Sequence, residues 1–508
     1  MRHLPPAMSS EDIVAAVASL YERLPSGCKP GDREYSVLSA IVATVPADSS
    51  GEGAGPATVQ VLSLGSGTKC AGKALVAQDA EGYVISDSHA EVIARRGLVR
   101  LLLECCLLLS RETADCTTSV ASERLFPLER FRDEEKGTAY RLKGGWELAL
   151  FVSENPCGDA AIMETGSSSS GAVERDAPAG TSGDSGHHEG GFDRQVPYAF
   201  TGAKVAADPS SSLDSWMREE GRQRVGVLRT KSGRSDIKTE HRSESHCCSD
   251  KICRWNFIGF QGGLLAHFVD DLFVRRILVL PDPSASSAAA QHRALERALV
   301  ARLATTGNSS SSSSGGISDD NPAPPRVEVL SDVPPSFQKL HRKREPQAGA
   351  ARLTPQGSNI NWIMSSSRGG VTVGSSRAKA VAGGSIEVCE STTGALQGST
   401  KSSAGKASSA SRLCRRALAG LFEDIIVALG ANDGPCLAGS GGRSYGERKA
   451  AAARYQRRKT ALLRLDGFRS WIVRGAAVGA FSAAAGEGKR PLAPGAGEGG
   501  GKRKKTCG

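Results

Sequence analysis

The sequence lacks any long apolar run. Its most apolar stretch, LVRLLLECCLLL, is shorter than the ~18 residues needed to span a bilayer and carries an arginine and a glutamate. The start, MRHLPPAMSSEDIV, has no apolar core of the kind found in signal peptides, and we find no fixed-period repeat. We therefore expect no membrane association, no repeat architecture, and an intracellular location in the nucleus, the cytoplasm or both. In that setting the 13 cysteines would be mostly reduced or metal-bound.

Three internal stretches are also poor in residues that could form a core. They lie at about 164–195, 305–325 and 365–410 and are rich in serine, glycine and alanine. So little apolar area cannot offset the entropy lost on ordering. The rest predicts a single domain over 1–480, followed by a disordered basic tail over 481–508. The KRKK of that tail is equally consistent with a nuclear signal, a phosphate contact or a solubilising segment.

Between these stretches, helical and strand patterns alternate. Apolar spacing predicts a helix over 11–28 and another in DSHAEVIARRGLVRLLLECCLLL, with Asp87 or Ser88 as its N-cap. Segments such as SVLSAIVATV, TVQVLSLG, ELALFV and RRILVLP predict buried strands. Two further helices are expected in SRLCRRALAGLFEDIIVALG and YGERKAAAARYQRRKTALLRL. The alternation indicates an α/β (α+β) fold, a mixed sheet flanked by helices.

Basic residues outnumber acidic ones. The 64 lysines and arginines against 54 acidic residues give a formal charge of +10. This balance favours a polyanionic partner, although many basic proteins bind no nucleic acid.

Only nine histidines occur in the chain, and one of them, His89, stands two residues before Glu91 at a predicted helix start. Alone, this stretch is best interpreted as ordinary helix capping. Two cysteines change that interpretation: Cys157 follows a proline where a strand ends, and Cys248 stands at another predicted helix start. One imidazole and two thiolates form a three-ligand zinc set with a fourth position open to water. With Glu91 as a proton carrier, this matches the zinc-deaminase pattern, except that the second cysteine follows the first by far more than the usual three positions.

Six motifs occur in an order that is similar to one family. LGSGTKC, SDSHAEVIARR, PCGDAAI, RTKSGRSD, CCSDKICRWNFIGFQGGLL and YGERKAAAARYQRRK resemble those of the editase-type adenosine deaminases of RNA. That group comprises the double-stranded-RNA adenosine deaminases and the tRNA-specific adenosine deaminase 1 family. The resemblance extends over about 15–474, and it implies a cytidine-deaminase-like sheet.

The resemblance implies roles for individual residues. His89, Cys157 and Cys248 would bind Zn²⁺, and Glu91 would shuttle protons. Cys247 stands where the family usually has serine, and we prefer Cys248 as the ligand because it directly precedes SDK. Four positions match RNA contacts, although a tight turn or a solvated basic loop would explain the same residues: Thr68, Lys69, Lys231 and Arg234.

The same resemblance implies a buried pocket for inositol hexakisphosphate, completed by the C-terminal helices. Converging lysines and arginines repel each other in a core unless an anion neutralises them. Ser86 and Val473 depart from the family pattern at the edge of this pocket. The matching positions are Arg95, Arg96, Lys251, Arg254, Trp255, Arg415, Tyr445, Lys449, Tyr455, Lys459 and Trp471.

Within the family, the chain is more similar to the tRNA branch. Only about 60 residues precede LSLGSGTKC, too few for a double-stranded-RNA-binding domain, and YERLPSGCKPGDREYSVLSAIVA and FTGAKV resemble the tRNA branch. The implied reaction is hydrolytic deamination of adenosine to inosine at position 37 of alanine tRNA, within the anticodon stem-loop, with no obligate protein partner. Two alternatives stay open: editing of mRNA or double-stranded RNA by the same chemistry, and a catalytically inactive RNA-binding scaffold. A free-nucleoside deaminase fits the basic balance and the long chain less well.

Overall fold

The structure is a computed structural model. The described residues are 8–47, 56–111, 126–133, 138–164, 198–199, 205–206, 225–231, 238, 241–304, 322–341, 353–368, 371–373, 378–400, 405–430, 443–473 and 475–483. Much of the stretches expected at 164–195 and 305–325, and almost all of the tail expected at 481–508, lie outside them.

The centre of the fold is an eight-stranded mixed sheet in the order β12-β11-β6-β2-β3-β14-β18-β17. Strands β12, β11 and β6 are parallel neighbours, and every other neighbouring pair is antiparallel. Its strands are β2 (Leu38–Val45), β3 (Thr58–Ser66), β6 (Glu147–Val152), β11 (Val274–Val279), β12 (Arg326–Val329), β14 (Ser358–Met364), β17 (Lys379–Val381) and β18 (Gly384–Glu390).

Ten short strands form two-stranded ladders around this sheet. They are β1 (Glu34–Tyr35), β4 (Leu128–Asp133), β5 (Thr138–Leu142), β7 (Met163–Glu164), β8 (Tyr198–Ala199), β9 (Val205–Ala206), β10 (Arg229–Thr230), β13 (Thr354–Pro355), β15 (Ser366–Arg368) and β16 (Val371–Val373).

The helices of the described residues complete the α/β architecture, which confirms the predicted fold class. They are α1 (Ser10–Arg23), α2 (Lys73–Gln78), α3 (Ala90–Arg111), α4 (Cys248–Ile258), α5 (Gly262–Leu265), α6 (Ala288–Glu296), α7 (Arg302–Ala304), α8 (Gln338–His341), α9 (Arg415–Leu429), α10 (Tyr445–Ala450) and α11 (Ala453–Arg464). A π-helical segment, Arg297–Ala301, joins α6 to α7. None of the helices in these ranges is long and apolar enough to cross a membrane.

Helix α3 is the central helix of the core. It packs against β2, β3 and β14, and α9 packs against it in turn. Nearly every side chain from Ala90 to Leu109 is buried, as expected for a helix whose sequence is apolar around most of its circumference. Its first turn therefore packs against the end of β3, where the candidate site lies.

Three expectations about elements need correction. The first helix ends at Arg23 rather than continuing to residue 28, because Pro25 follows its C-cap residue, Leu24. The helix predicted in YGERKAAAARYQRRKTALLRL is two helices, α10 and α11, separated at Ala451 and Ala452. The stretch 365–410 does contribute to the core: β18 belongs to the central sheet, with Ile386 and Cys389 buried.

Candidate active site

Three side chains with metal-ligand chemistry meet at the start of α3. His89 directly precedes that helix, Cys157 lies in the turn after β6, and Cys248 is the first residue of α4. The Nδ1 atom of His89 is 3.8 Å from Cys157 Sγ and 3.5 Å from Cys248 Sγ. The ligand atoms of all three residues lie within 4.8 Å of one another. Cys248, and not Cys247, belongs to this group, which agrees with the preference drawn from the motif.

The donor set fits zinc. Imidazole nitrogen and thiolate sulfur are the usual zinc ligands, and three protein ligands leave one position for a reactant. Burial lowers the pKa of His89, but the neighbouring thiolates of Cys157 and Cys70 raise it to about 10. Because zinc binds neutral imidazole, metal binding at this site would displace the His89 proton.

The Glu91 side chain lies next to this group in the first turn of α3. Its Oε2 atom accepts a hydrogen bond from Cys248 Sγ at 3.1 Å, and only 2% of the residue is exposed. Burial raises the pKa of Glu91. A carboxyl group that is close to the ligand atoms and has a raised pKa can both accept and donate a proton near neutral pH.

Asp87 links the metal-ligand group to two lysines, the buried Lys231 and the partly buried Lys251. Lys231 Nζ lies 2.8 Å from Asp87 Oδ2 and 3.1 Å from Cys248 Sγ, and Lys251 also pairs with Asp87. Burial raises the pKa of Asp87, but the two lysines lower it below its usual value. Cys70, Asp87 and His89 form a second set with ligand-like spacing, but the ion pairs with two lysines already satisfy the carboxylate.

The residues predicted to contact RNA differ in their burial and in their partners. Thr68 Oγ1 is buried, with no hydrogen-bond partner among the described residues. The backbone carbonyl of Lys69 accepts a hydrogen bond from Ser88 N at 3.1 Å, so this loop is attached to the start of α3. Lys231 is 9% exposed and bound to Asp87. Arg234 lies outside the described residues.

Several of the residues predicted to bind inositol hexakisphosphate lie close together, and we call this cluster the cationic pocket. The Arg95 guanidinium lies 4.8 Å from the Trp255 ring centre, that of Arg254 lies 4.6 Å from Trp471, and Lys449 Nζ lies 5.1 Å from Tyr445. Burial raises the pKa of Tyr455, but four nearby cations lower it below its usual value: Arg254, Arg95, Lys449 and Lys459.

Some buried guanidinium atoms of this pocket lack a hydrogen-bond partner in the part of the chain that the structure describes. Burial, together with Arg254, lowers the pKa of Arg95 to about 10. The buried Nε atoms of Arg95, Arg254 and Arg415 have no hydrogen-bond partner among the described residues. Buried cations without partners are costly, and these atoms fit an anion with several acceptor oxygens.

Other predicted pocket residues already have protein partners. Arg96 Nε donates to the Leu413 carbonyl at 2.8 Å, and Arg415 Nη2 lies 2.6 Å from Asp79 Oδ2. Lys251 is engaged by Asp87. Sequence reasoning missed Asp79 and gave Asp87 only the role of a helix cap. The position of Asp87 two residues before His89 was the one available signal for a larger role.

The model of the adenosine-deaminase (editase) domain family matches residues 63–475. The tRNA-specific adenosine deaminase 1 of Mus musculus is 26% identical over 89% of this chain and 95% of its own length. The protein of that name from Drosophila melanogaster is 28% identical over 58% of this chain, which spans 59% of that relative. The double-stranded RNA-specific adenosine deaminase of Mus musculus is 29% identical over 43% of this chain and 15% of its own length.

Proposed function

This chain belongs to the adenosine-deaminase (editase) domain family, and we propose that it is a zinc-dependent enzyme that converts adenosine to inosine in tRNA. The observation that carries the proposal is the convergence of His89, Cys157 and Cys248 beside the Glu91 carboxyl group. An RNA-binding scaffold has no need of this arrangement.

In the proposed reaction, the oxygen of a water molecule bonds to C6 of the adenine ring, the bond from C6 to the exocyclic nitrogen breaks, and ammonia leaves. Zinc, when bound, supplies a Lewis acid that lowers the pKa of a coordinated water toward about 7. His89, Cys157 and Cys248 would hold the metal. Glu91 Oε2 accepts a proton from the attacking water and later donates a proton to the departing amine, a role for which its raised pKa suits it.

The substrate we propose is the adenosine at position 37 of alanine tRNA, next to the anticodon. Support comes from a relative named for tRNA that aligns with this chain over nearly its whole length. An unpaired anticodon-loop base is also easier to extrude into a buried site than a paired one. The Thr68 hydroxyl lies in the Gly-rich loop beside the start of α3 and has no hydrogen-bond partner among the described residues, and we propose that it contacts such a base.

We propose inositol hexakisphosphate as the occupant of the cationic pocket. Arg95, Arg254 and Lys449 are brought together from three helices that are distant in sequence, and the Nε atoms of Arg95 and Arg254 have no hydrogen-bond partner among the described residues. A compact polyphosphate would neutralise these cations and join α3, α4 and α10 into one unit.

The proposal is tested by incubating the purified protein with three RNAs and sequencing each for inosine. The RNAs are alanine tRNA, alanine tRNA with guanosine at position 37, and a long RNA duplex. We expect inosine at position 37 of the first RNA and none in the second. Inosine in the duplex alone would contradict the tRNA assignment and select duplex editing, whereas binding of RNA with no inosine in any sample would select the scaffold.

A further inference from the structure

Each cysteine of the metal-ligand group is followed two residues later by an aspartate. Asp159 follows Cys157, and Asp250 follows Cys248. Both aspartates are 0% exposed. Neither belongs to a ligand group found among the described residues, and the proposed reaction does not use them.

The Asp159 side chain is held by an arginine from beyond α6. Its Oδ2 atom lies 3.4 Å from Arg297 Nε, and its Oδ1 atom accepts a hydrogen bond from Gly226 N at 3.0 Å. Arg297 Nη2 also donates to the carbonyl oxygens of Asp159 at 3.0 Å and Ile162 at 2.8 Å. The Arg297 guanidinium therefore contacts both the Asp159 side chain and the backbone of the turn that carries Cys157.

The Asp250 side chain is held in a similar way. Its Oδ1 atom accepts a hydrogen bond from Arg302 Nη1 at 2.8 Å, and its Oδ2 atom accepts one from Arg229 N at 2.9 Å. The side chains of Asp250 and Arg302 are 0% and 6% exposed. Asp250 lies in the first turn of α4, so this buried pair fixes the turn that presents Cys248.

Arg297 and Arg302 belong to one continuous helical element. The π-helical segment Arg297–Ala301 turns their side chains toward the same face. In an α-helix, residues five apart point about 140° away from each other. The i→i+5 hydrogen bonds of a π-helix bring such residues close to one face. The wider turn also frees carbonyl groups: Ala298 O accepts from Arg302 Nε at 3.2 Å, and Leu299 O accepts from Asn256 Nδ2 at 3.1 Å.

The two cysteine turns are in addition bonded directly to each other. Ser249 Oγ accepts a hydrogen bond from Asp159 N at 3.0 Å and donates to Cys157 O at 3.1 Å. Cys248 N donates to Cys157 Sγ at 3.3 Å. A displacement of either turn would therefore be transmitted to the other.

We infer that Arg297 and Arg302, aligned by the π-helical segment, are positioning residues that hold the two cysteine turns at the spacing required for zinc. This inference rests on the proposed zinc site and adds the residues that determine how tightly the site binds its metal. Hydrogen-bonded partners of ligand-bearing segments commonly change metal affinity by about 10–100-fold when they are removed.

The test measures zinc affinity by competition with a chromophoric chelator in the full-length protein, wild type and Arg297→Gln. We expect the variant to bind zinc about 10–100-fold more weakly. Its cobalt-substituted form should show weaker and shifted ligand-field bands, because the two sulfurs no longer keep their spacing. Arg297→Lys keeps the positive charge but loses the planar set of N–H donors. Its zinc affinity should lie between those of wild type and Arg297→Gln. The matched control is Arg276→Gln, which breaks another partly buried arginine–carboxylate pair, with Glu328, away from the site.

Arg302→Gln is the second variant. If this more deeply buried substitution prevents folding, the result for Arg297→Gln alone decides the test. Zinc affinity within threefold of wild type in folded Arg297→Gln, or an equal loss in Arg276→Gln, would overturn the inference. Failure of the wild-type protein itself to bind zinc would instead refute the proposed function, so the two results are distinguishable.

Discussion

Asp87 pairs with two lysines beside the metal-ligand group, the buried Lys231 and the partly buried Lys251. Because Lys231 and Lys251 both pair with it, Asp87→Asn leaves two cations without a counter-charge. We expect this variant to lower the free energy of unfolding by about 3–5 kcal/mol, measured by urea denaturation. The control is Asp466→Asn, which removes an exposed pair with Arg469 and should leave the urea midpoint unchanged; an equal loss in both variants would contradict this account.

The stabilising effect of Asp87 should also depend on pH. Its lysine neighbours lower the pKa of Asp87 below that of an unfolded aspartate, about 3.9. The stabilisation is therefore fully present above that value and is lost as the pH falls below it. We expect the difference in unfolding free energy between wild type and Asp87→Asn to be constant from pH 7 to about 5 and to shrink below about 4. A difference that grows on acidification would show that the sign is wrong.

Sequence could predict some of these residues and not others. The candidate ligands, which are His89, Cys157 and Cys248, and the carboxyl group of Glu91 follow from motifs, because zinc chemistry restricts the residue types. The burial of Lys231 could not be predicted, because KSGRSD is polar in sequence. Only the tertiary fold places Asp87 against Lys231, the first residue of that motif. The N-cap prediction of Asp87 or Ser88 was wrong: the helix begins at Ala90, so His89 occupies the cap position, and Asp87 Oδ1 instead accepts a hydrogen bond from His89 N at 3.0 Å.

At the scale of elements, the first turn of α3 depends on a close approach to β3. A Cβ atom added at Gly65 would lie 2.7 Å from Ala90 O and from Ala94 N. We therefore expect Gly65→Ala to push α3 away from the sheet and to cost about 1–3 kcal/mol of unfolding free energy. Because the displaced turn carries Glu91, inosine formation should fall more than stability alone explains.

Thermal melting and the rate of inosine formation, measured side by side, check this expectation. The control is Gly144→Ala, since a Cβ atom there would meet nothing within 4 Å. Wild-type melting and wild-type rates in Gly65→Ala would mean that the packing of α3 does not position the site.

The elements themselves were predictable to different degrees. Strands such as β2 and β6 are continuous apolar runs, so their burial could be inferred from sequence. The π-helical segment could not, because it depends on distant partners such as Asn256, which bonds to Leu299 O. Strand β18 was missed as part of the core because its serine-rich surroundings conceal a short apolar pattern that pairs along the whole of β14.

At the scale of the whole molecule, the cationic pocket draws on nearly the full length of the domain. Arg95 and Trp471 are separated by most of the chain, yet both flank the helix that carries Arg254 and Trp255. We expect purified protein to carry one inositol hexakisphosphate, because its phosphates would pair with guanidinium Nε atoms that have no hydrogen-bond partner among the described residues. Its loss should lower the melting temperature, since a ligand that binds only the folded state stabilises that state.

Phosphate analysis of acid-denatured protein, followed by chromatography of the released anion, checks this prediction. Protein in which Arg254→Gln and Lys459→Gln are combined should carry less of the anion and melt at a lower temperature. Fully folded protein that releases no polyphosphate would contradict the assignment of the pocket.

The central claim is that Glu91 transfers protons for adenosine deamination in tRNA. The most direct test compares wild type with Glu91→Ala on alanine tRNA, with zinc content and melting temperature measured on the same samples. Glu11→Ala, which removes an exposed first-turn glutamate from α1, is the control. We predict inosine at position 37 with wild type and with the control. Glu91→Ala should keep its zinc and its fold but lose at least about 100-fold in rate. Inosine formed by folded, zinc-bound Glu91→Ala at the wild-type rate would contradict the account.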